Sequence, residues 1–239
     1  MEVTLEQVLR APAAARIADV VERMQALDTV LPPNDGIAYF NRLYLAVTET
    51  VAEQARPGVF ADPPFIRWLD VVFANLYFAA LANHVRGRGR VPRAWKALFE
   101  ARARRGVVPI QFALAGMNAH INRDLPLAVV STCRDRRIVP LRGSPQHGDF
   151  GRIDTLLAET EERVRSEFSR GLVGIADEAL GRLDTVLAMW NVRKARRAAW
   201  ANAETLWALD GLPFVGARFL VTLDRTVGFA GRGLLVPVL

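Results

Sequence analysis

A chain of 239 residues, half of them hydrophobic, carries enough apolar material for one large domain or two tightly packed small ones. Its formal charge is +6, yet 29 of the 31 basic residues are arginine; beside so much alanine this skew reads as GC-rich coding, which discounts the basic balance as a sign of nucleic-acid binding. The one cysteine, Cys133, excludes an internal disulfide and thiolate metal clusters; with no apolar signal core in MEVTLEQVLR and no window of about 18–20 uninterrupted apolar residues, the expectation is a cytoplasmic protein without a transmembrane segment.

Thr4 followed by Gln7 is a capping-box pattern that opens a first short helix. After Ala11-Pro12, Ile17, Val20, Val21, Met24 and Leu27 recur at helical spacing over residues 13–28, and Leu31-Pro32-Pro33 ends the element. Asp35 can cap the next helix, whose stripe is Ile37, Phe40, Tyr44, Val47 and Val51. Arg56-Pro57-Gly58 stops it, and Asp62-Pro63 starts another in the favoured order of cap then proline. That helix runs to about His84, is apolar on most sides and is expected at the centre of the fold. RGRGRVPR, residues 86–93, reads as a flexible basic connector. Pro92 begins a short amphipathic helix that Gly106 ends, and Pro109 begins the next. Residues 134–148 are the longest candidate loop, with Asp149 as a cap for the helix after it. Two helical runs cover about 150–210, and Gly211-Leu212-Pro213 precedes a final apolar helix and a VPVL tail. With few alternating strands and no internal repeat, the expected fold is all-α: a single-domain multi-helix bundle over 1–239.

The stretch GMNAHINRDLP, Gly116 to Pro126, places two asparagines, a histidine, an arginine and an aspartate in one of the most apolar parts of the chain. On a helix from Pro109, His120 and Asp124 share a face and Asn118 and Asn122 share a neighbouring one. Gly116, one turn before His120, leaves open space there, and Pro126 kinks or restarts the helix near Asp124. Three readings compete. His120 and Asp124 can act as a base and its orienting carboxylate, or as ligands of one divalent metal ion with Asp149. The asparagines and His120 can bind a polar group of an otherwise apolar small molecule. Alternatively Asn118, His120 and Asn122 satisfy one another and the kinked backbone while Asp124 caps the restarted helix.

N-A-H-I-N-R-D-L-P, together with Asp149-Phe150 and the run W-L-D-V-V-F-A-N-L-Y from Trp68 to Tyr77, resembles a bacterial, largely actinobacterial family of unknown function whose members run through most of this length. A family without an assigned activity transfers no catalytic role; the resemblance implies that His120, Asn122, Asp124 and Asp149 are the residues to mutate first. The H-x-x-x-D spacing is also superficially similar to that of condensation-type acyltransferases. Those proteins are far longer and carry glycine after the aspartate, where this chain has Leu125.

Further polar residues can be set around this centre. Asp70, within the apolar Trp68–Ala80 run, needs either an arginine partner or a role as a second carboxylate facing His120. Tyr77, and Tyr44 with Thr48 one turn on, can supply hydroxyls to a substrate. His84 lies near a helix end and reads as solvated; His147 lies in a loop and can form part of a lid. MWNVRKARRAAWANAETLW brings Arg193, Arg197, Trp200, Glu204 and Trp207 to helical spacing. That face can touch anionic lipid, RNA or a partner protein, or be a solvated arginine face with Met189, Trp190 and Leu206 in the core. No H-E-x-x-H, G-x-S-x-G, phosphate loop or dinucleotide fingerprint is present. The reading that follows is an enzyme with His120, Asp124 and Asp70 as catalytic groups and Asn118, Asn122, Tyr77, Tyr44 and Thr48 as substrate-binding groups. Its substrate is a largely apolar small molecule of specialised or lipid-related metabolism. Cyclisation, isomerisation, dehydration and hydrolysis all fit. The alternative is a non-catalytic ligand-binding or interaction module, with nucleic-acid binding third.

Overall fold

Local punctuation sets most of the helix starts. Thr4 Oγ1 accepts the Gln7 N–H at 3.3 Å while Gln7 Oε1 accepts the Thr4 N–H at 2.8 Å, closing the capping box of α1 (Leu5–Arg10). After α2 (Ile17–Val30), Asp35 Oδ1 accepts the Ile37 N–H at 2.8 Å at the head of α3 (Gly36–Gln54). Asp62 Oδ1 takes the Phe65 N–H at 3.1 Å and Pro63 is the first residue of α4 (Pro63–Val85). Pro92 and Pro109 begin α5 (Arg93–Ala101) and α6 (Pro109–Ala119) as expected, though α5 ends a turn before Gly106.

The computed structural model describes residues 3–54, 58–155, 157 and 191–238. Beyond α6 it has a five-residue π-helical turn, His120–Asp124, then α7 (Leu125–Asp135), a helix over 145–155 (α8), α9 (Val192–Ala208) and α10 (Pro213–Leu234). Among the described residues there is no strand, and the chain is an all-α multi-helix bundle. Most of the expected 150–210 helical run, with Met189 and Trp190, lies outside the described residues.

The core gathers around α4, α5 and α6, with Trp95, Tyr77, Phe40, Phe65 and Phe99 fully buried. Gly116 corrects one expectation. A side chain there would overlap the ring of Phe40, so the glycine is a seat for an aromatic from α3 and not open space. On the other side of α5, a Cβ at Gly228 would stand 2.7 Å from the Arg93 carbonyl, so the backbones of α10 and α5 approach closely. The VPVL tail is tied back, with Gln111 Nε2 donating to the Leu234 and Val236 carbonyls at 2.8 Å and the Val238 N–H to the Gly106 carbonyl at 2.9 Å.

Two further differences from the sequence reading concern α8 and α4, and Cys133 adds a third feature with a physical cause. Helix α8 begins before Asp149, and Ser144 Oγ accepts the His147 N–H at 3.1 Å, so His147 lies in its first turn instead of in a lid loop. Helix α4 is long and apolar enough to cross a membrane by length and composition, and 61% of that window is buried inside the protein. Cys133 is buried and its thiol is pushed up to about 11, which leaves it protonated and unreactive at neutral pH.

Candidate functional site

Pro126 shapes the backbone at the site. It has no N–H, and in a regular α-helix its ring would press on the carbonyl four residues back. The helix widens instead: the Leu125 N–H donates to the His120 carbonyl five residues behind it. The expected kink near Asp124 is thus a π-helical turn, a device that recurs at functional sites.

His120 and Asp124 stand at its two ends, both fully buried, with His120 Nδ1 3.2 Å from Asp124 Oδ2. The same carboxylate accepts from Trp95 Nε1 at 2.7 Å and from Arg123 Nη1 at 2.6 Å. Arg123 Nε lies 3.9 Å from Asp224 Oδ1 on α10, and the Asp224 carboxylate accepts the Arg93 and Ala94 N–H groups at 3.1 Å each. One polar chain thereby joins the start of α5, the π turn and α10. Because a carboxylate only accepts, its bond to His120 puts the ring proton on Nδ1 and leaves a lone pair on Nε2. Burial lowers the His120 pKa, with the Asp124 hydrogen bond and charge opposing, so the ring is neutral at neutral pH.

The Nε2 side is different. His120 lies flat on Phe73, ring centroids 3.4 Å apart, with Tyr44 edge-on at 4.5 Å and Phe40, Trp95 and Tyr77 at 5.8, 5.7 and 6.3 Å. His120 Nε2 and the Tyr77 hydroxyl are buried and have no hydrogen-bond partner, and the buried hydroxyls of Tyr44 and Thr48 have none beyond each other. Desolvation raises the Tyr44 pKa well above its ordinary value; the charges of Asp70 and Asp124 add to this and the nearby Thr48 hydroxyl partly offsets it. Desolvation likewise raises Tyr77. Asp70 keeps part of its surface exposed, but its Oδ2 is enclosed without a partner and burial raises its pKa to about 7. No arginine reaches it among the described residues.

Of the sequence-predicted residues, the structure therefore brings together His120, Asp124, Tyr44, Thr48 and Tyr77, with Asp70 close enough to act on Tyr44. The asparagines are engaged elsewhere. Asn118 Nδ2 donates to the Val227 carbonyl on α10 at 2.9 Å, and Asn122 Nδ2 donates to Asn118 Oδ1 at 3.0 Å. Through these bonds α6 is fastened to α10. Asp124 makes no side-chain cap to α7.

The metal set His120, Asp124 and Asp149 is not assembled. Both oxygens of Asp149 sit at the head of α4, accepting the Ala61 N–H at 2.8 Å and the Asp62 N–H at 2.6 Å, with Arg152 at 2.9 Å. Among the described residues no group of three or more His, Cys, Asp or Glu side chains is arranged to hold a metal ion. His84 is partly buried against Phe99.

Sequence reasoning missed Trp95 and Asp224 as partners of this centre. Asp224 had a signal, being the one acid in the 22 residues of α10; Trp95 had none, since an inward tryptophan on an amphipathic helix reads as packing. On α9, Arg193 and Arg197 are exposed and Trp200 is packed inward, as expected. Leu206 packs partly buried against the core. Arg196 was missed: it is buried, bonded to Asp154 at 2.5 Å and the Phe150 carbonyl at 2.8 Å, and lies 4.2 Å over the Phe150 ring.

Comparison with curated proteins and with solved structures yields no match. The family described as "Family of unknown function (DUF5995)" matches residues 17–237, and the chain belongs to it.

Proposed function

We propose that this member of a family of unknown function is an enzyme in which His120 transfers a proton to or from a small, largely apolar molecule seated among Phe40, Tyr44, Phe73 and Tyr77. The observation that carries this reading is the asymmetry of the imidazole. Nδ1 is fixed by Asp124, while Nε2 and the Tyr77 hydroxyl lie among aromatic rings without partners and the Tyr44 and Thr48 hydroxyls have none beyond each other. Each such atom costs about 1–3 kcal/mol when left unsatisfied, and a fold that keeps several in one place gains something else from them.

The roles follow from the chemistry of each group. Nε2 takes the proton, and Asp124, already bonded to Nδ1, stabilises the imidazolium that forms. The tyrosines hold their protons tightly because burial raises their pKa values, so they act as hydrogen-bond donors to a carbonyl or hydroxyl oxygen on which charge develops. Asp70, with a pKa of about 7, is present in both protonation states near neutrality and can serve as the second acid or base. A neutral substrate fits such a dry enclosure better than a charged one. Isomerisation, cyclisation, dehydration and hydrolysis remain the matching reaction classes.

A second reading, a ligand-binding module without catalysis, draws support from the internal bonds of Asn118, Asn122 and Asp124 and from the close Phe73 stack. Metabolite profiling of a gene-deletion strain separates the two. The enzyme reading expects a compound that accumulates in the deletion strain and in one carrying His120→Gln, and that disappears with the unaltered gene. Full complementation by His120→Gln at normal protein level contradicts it.

A further inference from the structure

We infer that the protein has a second binding site, a cleft between α8 and α9 that recognises a phosphate monoester carried on an apolar body. It stands independently of the His120 reading. The cleft has a volume of about 450 Å³ and is lined by Arg142, His147, Asp154, Arg193, Arg197 and Trp200, with Phe150 in its wall.

The first argument is electrostatic. Arg193 and Arg197 are four residues apart in the N-terminal half of α9, both exposed and neither ion-paired among the described residues. Like charges at that spacing repel, and cations at a helix N-terminus oppose its dipole. No acidic residue lies in the first turn to relieve either effect. Arg142 adds a third guanidinium without a partner among the described residues; its backbone N–H donates to Glu204 at 2.8 Å. Asp154, the one carboxylate among the described lining residues, is bonded to the buried Arg196, and none of the other three guanidinium groups has an ion pair among the described residues. Places where a sequence breaks local electrostatic rules are characteristic of functional sites, and an anionic ligand would restore the balance here.

The second argument is the hydrogen-bonding sense of the remaining groups. Trp200 is 1% exposed, and its buried indole N–H has no partner among the described residues. His147 Nδ1 accepts the Gly143 N–H at 3.2 Å, which places the proton of the neutral ring on Nε2. Apart from Asp154, then, every titratable or indole group lining the cleft is a donor. Three guanidinium groups suit the several acceptor oxygens of a tetrahedral dianion better than a planar monoanion. The volume exceeds what a bare phosphate needs, and Phe150 with the Trp200 ring offers an apolar wall to the rest of the molecule.

Calorimetric titration of the full chain with phenyl phosphate, in about 0.15 M salt, tests this. The expected result is saturable one-to-one binding, weakened by about tenfold or more in Arg193→Gln/Arg197→Gln, with benzoate binding more weakly than phenyl phosphate. Because both arginines are exposed and repel, the double variant should melt no lower than the unaltered protein when no phosphate is present. Vesicles of phosphatidylcholine with roughly one fifth phosphatidic acid, against the same with phosphatidylserine, separate the sources of the group. Selective capture by phosphatidic acid assigns it to a lipid headgroup, and phenyl phosphate binding without vesicle capture assigns it to a soluble ester. The proposal is overturned by no saturable binding in either arm, by equal capture on both vesicles or on RNA, or by unaltered binding in the double variant.

Discussion

On its Nδ1 side His120 meets a carboxylate that already holds Trp95 and Arg123, part of a chain of bonds running to Asp224 and the head of α5. The face of the His120 ring lies on Phe73, with Tyr44 and Tyr77 edge-on, and its Nε2 has no protein partner. The two sides differ in charge and in connectivity: one holds a carboxylate and a guanidinium bonded to each other, the other holds aromatic rings and phenols. One side uses its hydrogen bonds to fix α5, α6 and α10 against one another; the other keeps its hydrogen bonds for something that is not part of the fold. A cluster that looks like a single site in sequence is thus a brace and a reactive face sharing one imidazole.

Substitutions should separate those two sides. The largest effect belongs to the brace. Asp124→Ala removes one acceptor from three buried donors, and urea unfolding should show a loss of about 3–5 kcal/mol, with Asn118→Ala losing about 1–3 kcal/mol by stranding the Val227 carbonyl and Asn122. Values within a few tenths of a kcal/mol of the unaltered protein would dissolve the distinction from the structural side.

The reactive face should respond in the opposite way. Tyr44→Phe and Thr48→Val remove hydroxyls that have no partner beyond each other, so stability should change by less than about 1 kcal/mol, in either direction. Product formation in the complemented strain should nevertheless fall with Tyr44→Phe. A large loss of stability in either variant would assign these hydroxyls to the brace.

A further effect is a pH dependence. Burial raises the Asp70 pKa from its ordinary value of 3.8 to about 7, so the folded chain holds a proton there that the unfolded chain has already released. That contribution to stability is fully present below the ordinary carboxylate value and is lost as pH rises through about 7. His120 has the opposite sign, because its lowered pKa removes stability as pH falls through the ordinary histidine value. Comparing Asp70→Asn with the unaltered protein isolates the first term: the variant should gain a few degrees in Tm at pH 8 relative to its difference at pH 5. An equal difference at both values would mean that Asp70 is not desolvated.

Much of this was legible in the sequence, for reasons of range. Thr4, Asp62, Pro92 and Pro109 act on their own helix within three residues, so the starts of α1, α4, α5 and α6 could be read off. His120 and Asp124 are four apart, and Pro126 announces the break beside them. The misplaced residues are those whose partners are distant in the chain. Asn118 bonds 109 positions away and Asp149 bonds 88 and 87 positions away, and no local pattern signals such pairings. Gly116 failed similarly, because the space beside a glycine is filled by whichever helix crosses it, here α3 with Phe40.

The asymmetry of the imidazole can be observed without knowing a substrate. Long-range ¹⁵N–¹H correlation spectra of the histidine side chains report which ring nitrogen carries the proton, and with three histidines in the chain the His120→Gln variant assigns the signal. The predicted result is a His120 ring protonated at Nδ1, with Nε2 unprotonated at neutral pH and still unprotonated as the pH is lowered through the ordinary histidine value. A ring protonated at Nε2, or at both nitrogens at neutral pH, would contradict the account.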